Sequence, residues 1–152
     1  MKHLKAAVAL AAMISGTAVY AQDDFSAQLK ARQGQMRIMA INLGLLGGMA
    51  QGKMDYNAEA AQAAADSLVA ISGVHQDLLW PAGSDSMSMD GTKALPAIWD
   101  DNAGFMADWA DFGTAAKAMQ AVAGTGQEAL GPVMGQMGGT CKACHDDYRV
   151  TQ

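Results

Sequence analysis

The chain has 152 residues and a net charge of −5. That is one domain's worth of protein, and the acidic balance excludes a nucleic-acid partner held by basic patches. Two cysteines are too few for a disulfide scaffold, which would exceed about 8% Cys. Twelve methionines, three prolines and sparse β-branched residues lean toward helices and away from a β-sandwich or barrel.

In chain order, Met1–Ala21 reads as a secretory signal peptide. Lys2 and Lys5 give a positive start, Ala6 to Ile14 form an apolar core, and Val19-Tyr20-Ala21 is a small-residue cleavage site. The apolar run is too short to span a membrane, and no other stretch is long enough, so no membrane insertion is expected. Residues 22–152 then form the mature domain. Loss of the two lysines deepens its charge to −7. Its expected partners are small molecules or basic protein patches rather than anionic lipid.

Four helices are predicted. The first lies in Asp23–Ala50, where Leu29, Arg32, Met36, Met39, Leu43, Leu46 and Ala50 recur at 3–4 spacing. Gly52 should stop it. Asn57 is a candidate N-cap for the second, which runs to about Val74 with Ala61, Ala64, Leu68 and Ile71 on one stripe. The segment Gln76–Pro96 is irregular, and a loop that long usually covers something. The third helix spans roughly Asn102–Ala123, carrying Phe105, Trp109, Phe112, Ala116 and Met119. The fourth spans about Gln127–Arg149, with Pro132 in its first turns. The four form an all-α, antiparallel, up-down-up-down bundle. Its topology sets Arg32 to Met36 beside Cys141 to His145.

Cys141-Lys142-Ala143-Cys144-His145 is C-x-x-C-H, the attachment signature of c-type haem. On a helix the two thiols share one face, and His145 can turn its imidazole to the iron. Three rivals stand beside this reading. A redox disulfide normally accompanies a βαβ pattern, and none is visible. A zinc site needs a fourth ligand, and His75 is the one other histidine of the mature chain. A chance match is the third.

The motif's place near the end of the last helix resembles the cytochrome c prime family, the class II cytochromes c. Cys141 to Arg149 is similar to that family's C-terminal motif, and Arg32-Gln33-x-x-Met36 to its N-terminal one. Gly52 to Tyr56 and Leu95 to Trp99 also resemble family segments. The resemblance implies a periplasmic haem c protein that transfers single electrons to redox partner proteins or binds NO or CO. It further implies a homodimer through the first two helices. Residue by residue, it implies thioethers at Cys141 and Cys144, with His145 as proximal ligand. Arg32 and Gln33 would contact the haem propionates, and Arg149 matches a basic residue near the haem.

Met36 matches the distal position. It either ligates the iron, giving a closed low-spin carrier, or only packs there, leaving an apolar gas pocket. His75 is a ligand on paper and a solvent-facing histidine in the simpler reading. Asp100-Asp101 and Asp146-Asp147 read as solvated charges. An enzyme detoxifying NO or peroxide is a more remote alternative, because no distal His/Arg pair is evident. Enzymatic turnover is not expected.

Overall fold

A computed structural model describes residues 24–151 of the chain. The signal-peptide reading of Met1–Ala21 lies outside the described residues. The helices are α1 (Ser26–Ala50), α2 (Ala58–Ser72), α3 (Ala97–Asp100), α4 (Asn102–Val122) and α5 (Leu130–Tyr148). Short 3-10 turns, Asp77–Leu79 and Gln127–Ala129, follow α2 and precede α5. No strand is present among the described residues, only an isolated antiparallel bridge between Ala94 and Arg149.

The long helices begin and end where local chemistry favours it. Asp24 Oδ1 accepts the Ser26 amide (2.9 Å), satisfying one free donor ahead of α1. Beyond its other end, Gly52 adopts φ +66°, and the Lys53 amide reaches back to the Gly48 carbonyl (2.9 Å). That left-handed stop costs a glycine little. Asn57 caps α2 through the Ala60 amide (2.8 Å), and Asp101 caps α4 through the Gly104 amide (3.1 Å). Pro132 is the third residue of α5, where its missing N–H breaks no intrahelical bond.

The four long helices pack as a ring, α1–α2–α4–α5 and back to α1. Cross-links show the antiparallel sense. Gln62 and Asp66 in the first and middle turns of α2 bond to Gln120 near the end of α4, and Trp109 in the first half of α4 bonds to Ser72 at the end of α2. The main core gathers Leu46, Leu68, Met119, Leu130 and Met137, all fully buried. Each stabilises the fold by roughly 1.5–3 kcal/mol. Alanines 61, 64, 65, 115 and 116 let α2 and α4 approach closely. A second cluster of Ala94, Ile98, Phe105 and Tyr148 sits at the end of the bundle where α5 finishes.

Residues 76–96 fold over that end. Trp80 packs edge-on against Phe105 (4.9 Å between centroids), and Phe105 against Tyr148 (5.6 Å). Trp80 Nε1 donates to Gln76 Oε1 (3.0 Å), and Trp99 Nε1 to the Trp80 carbonyl (3.0 Å). The Leu95 amide donates to the Tyr148 carbonyl (3.0 Å), which ties the segment to the end of α5.

Candidate functional site: a cavity between the first and last helices

Between α1, α4, α5 and the covering segment lies a cavity of about 590 Å³. Cofactor pockets span roughly 300–1,000 Å³. One wall is α5, with Thr140, Cys141, Cys144, His145 and Tyr148. The facing wall is α1, with Leu29, Arg32, Gln33, Met36, Met39 and Leu43. The Phe105, Asp108, Trp109 and Phe112 side comes from α4, and Trp80 with Gly91 to Ala94 closes the cover. Every site residue named from the sequence lines this one space. His75 does not; it is exposed, in keeping with a solvent-facing histidine.

The α5 wall follows from helical spacing. Cys141 and Cys144 are three residues apart on one face, both half-buried, and their sulfurs are not joined. Burial pushes the Cys144 thiol up to about 11, with the Asp108 carboxylate adding to the shift. Burial also raises the Cys141 thiol. Redox dithiols and zinc ligands rely on a stabilised thiolate, and this wall disfavours one. Neutral thiols are what addition across a vinyl group consumes, and a thioether puts no charge into an apolar cavity. The His145 ring is held below its ordinary pKa by desolvation and by Arg149. That favours the neutral imidazole a metal requires.

The α1 wall has a feature that helical spacing does not reveal. Arg32 is 3% exposed. Its Nη1 donates to Ser84 Oγ (2.8 Å) and its Nη2 to the Ser84 carbonyl (3.1 Å). The guanidinium also lies over the Trp80 ring, 4.4 Å from the centroid. Gln33 Nε2 donates to the Gly91 carbonyl (3.0 Å). Both residues therefore fasten the covering segment while lining the cavity. Arg32 has five N–H donors, so two bonds to Ser84 leave others free. Met36 is half-buried and packs on the main core while facing the same space.

Trp80, Asp108, Trp109 and Tyr148 are among the cavity residues that were not foreseen as site residues. The apolar stripe already carried Trp109, and Tyr148 stands in the C-terminal motif. Asp101, read from the sequence as a solvated charge, is exposed but engaged. Its Oδ2 accepts the Tyr148 hydroxyl (2.9 Å) while its Oδ1 caps α4.

A helical bundle whose last helix presents both thiols and a histidine of the C-x-x-C-H motif to one cavity defines a haem c bundle protein. The comparisons agree. The family model described as Cytochrome C' matches residues 27–149. Cytochrome c' of Cereibacter sphaeroides is 41% identical over 122 residues, covering 80% of this chain and 82% of that protein. The solved cytochrome c' from Rhodobacter Spheriodes superposes with a TM-score of 0.82 at 39% identity, covering 86% of this chain and 100% of that one. A structure described as the nitric oxide complex of a point mutant of cytochrome c prime from Alcaligenes xylosoxidans has a TM-score of 0.72 at 28% identity. It covers 84% of this chain and 97% of that one. The chain belongs to the cytochrome c' family, and its cofactor is haem c with iron.

Proposed function

We propose that this protein is a periplasmic c-type cytochrome that exchanges single electrons and binds NO or CO at its haem, without enzymatic turnover. The observation that carries the reading is the cavity itself: Cys141, Cys144 and His145 on one wall, and the apolar α1 face with Met36 on the other. Haem iron supplies a one-electron couple and an affinity for diatomic gases. Cys141 and Cys144 would hold the group by thioethers, with His145 as its proximal ligand. Arg32 and Gln33 contact the propionates with the donors left over from Ser84 and Gly91. A guanidinium suits a carboxylate through charge-assisted bonds.

The protein's own residues do the rest. Leu29, Met36, Met39 and Leu43 make the distal wall apolar, which excludes anionic ligands and admits neutral diatomics. Two cations of α1 line the cavity: Arg32, restrained by its bonds to Ser84, and Arg37, which is exposed. Nitric oxide binding by the Alcaligenes xylosoxidans relative's mutant supports the gas reading.

A second reading rests on Met36 facing the cavity: its thioether ligates the iron and the protein is a closed electron carrier. An optical spectrum separates the two. Ligation gives a methionine-to-iron band at the red edge of the ferric spectrum, and Met36→Ala then converts low spin to high spin. A broad high-spin Soret band that Met36→Ala leaves unchanged removes the ligated form.

Export through Met1–Ala21 places the protein in the periplasm, where acidic surface meets basic redox partners. Ile38 and Ile41, the latter 72% exposed, form an apolar stripe on the outer face of α1. Gly34 and Gly44 flank it with open space above them. The stripe supports a homodimer built on α1 and α2.

A further inference from the structure

Three oxidisable rings line the cavity: Trp80, Trp109 and Tyr148. Each has its polar hydrogen committed. Trp80 Nε1–H donates to the Gln76 amide oxygen (3.0 Å), and Trp109 Nε1–H to the Ser72 carbonyl (3.0 Å). Amide and carbonyl oxygens are not bases at neutral pH. The Tyr148 hydroxyl differs: it donates to the Asp101 carboxylate (2.9 Å). Tyr56, outside the cavity walls, donates to the Ala123 carbonyl (2.8 Å).

We propose that Tyr148 and Asp101 form a proton-coupled electron-donor site that draws oxidising equivalents off the haem as a tyrosyl radical. The inference rests on the haem c reading given above. A phenol that loses an electron must also release its proton, because the oxidised phenol is a far stronger acid than a carboxylic acid. Tyr148 alone among the cavity rings has a proton acceptor already bonded.

The site is also held in place. Asp101 is fixed through both oxygens, Oδ1 on the Gly104 amide and Oδ2 on Tyr148. Gly104 is necessary to the pairing, since an added Cβ there would collide with both the Asp101 carboxylate and the Tyr148 hydroxyl. The phenol is buried among Phe105, Ala94 and Ile98, while Asp101 is exposed and can pass the proton to solvent. Asp108 and Asp147 add negative potential at the ring, which favours loss of an electron. The competing rings are disfavoured. The Arg32 guanidinium over Trp80 opposes positive charge on that indole. Trp109 packs on Phe112 in an apolar wall, where a trapped cation is costly.

The oxidant is hydrogen peroxide, a diffusible two-electron oxidant. Its O–O bond breaks, and two electrons with two solvent protons reduce it to two waters. Both electrons come from Tyr148 side chains, one from each of two protein molecules, by way of a haem that ends ferric as it began. The Tyr148 O–H bond breaks, its proton moves to Asp101, and a neutral tyrosyl radical and a neutral carboxylic acid remain.

Ferric holoprotein, its haem content first measured as the pyridine haemochrome, is mixed with one equivalent of hydrogen peroxide and freeze-quenched for EPR. The expected result is a tyrosyl radical that narrows when the tyrosines are ring-deuterated. Tyr148→Phe, which keeps the packed ring, loses the signal and bleaches its haem faster per added peroxide. Asp101→Asn lowers the radical yield severalfold. An unchanged signal in Tyr148→Phe, a radical on tryptophan, or no radical in haem-loaded protein overturns the proposal alone. A chain without haem overturns the haem reading and the proposal with it.

Discussion

At the residue scale, one helix face decides the chemistry and its neighbours set the conditions. Cys141, Cys144 and His145 share the α5 wall, where burial raises both thiols and, with Arg149, lowers the imidazole, so each shift favours the uncharged form. Neutrality suits a covalent cofactor and a metal-binding imidazole, and it disfavours a reactive dithiol. Tyr148 is shaped by the same wall. Burial and the Asp101 carboxylate push its phenol from 10.0 up to about 12. A raised folded pKa means the fold favours the protonated phenol. That contribution is fully present below pH 10 and is lost as pH rises through about 12. Unfolding midpoints measured in urea should therefore fall between pH 10 and 12 in the wild type, and fall less steeply in Tyr148→Phe. Equal slopes in the two proteins would contradict the assignment.

At the element scale, the segment 76–96 turns an open groove between α1 and α5 into a cavity. Arg32 fastens it by two bonds to Ser84 and a stacked Trp80. Arg32→Leu leaves the buried Ser84 carbonyl without that donor, which should cost about 1–3 kcal/mol. Urea denaturation checks the magnitude, and limited proteolysis within 76–96 should speed up. Arg32→Lys should fail to restore the wild type, because a point-like ammonium cannot bond twice and stack. The long helices were legible because apolar positions that turn inward recur at helical spacing, as in the half-buried Leu29, Met36 and Leu43 and the buried Met39 and Leu46. Asn57, Gly52 and Pro132 punctuate them by chemistry local to each site. The short α3 was not legible, since four residues after Pro96 carry no periodicity. Arg32 was legible as a cavity residue, but its bonds to Ser84 were not. That partner lies 52 positions away on an irregular segment. Gln35 and Gln76 are buried against the polar-outside pattern, because they satisfy each other across 41 positions (3.3 Å). Asp101 looked solvated because its Tyr148 contact exists only once α4 and α5 pack antiparallel.

At the scale of the whole molecule, the bundle is a core with a space reserved in it. The main cluster fills the end where α1 meets α2, and the cavity occupies the end where α5 finishes. Charge contributes little to holding it together. Among the described residues one ion pair forms, Lys142–Asp146, and both partners are exposed, so its contribution is about 0–1 kcal/mol. Apolar packing and the cofactor carry the fold, so the mature protein should change little in stability with salt. The central claim is that residues 22–152 are built around one haem bound through Cys141 and Cys144. The direct test is the intact mass of the exported protein under denaturing conditions, read with its pyridine haemochrome spectrum. The account predicts the chain from Gln22 plus one haem, with that mass lost in a Cys141→Ser/Cys144→Ser variant. A mature chain without the added haem mass, or carrying a Cys141–Cys144 disulfide in its place, would contradict it.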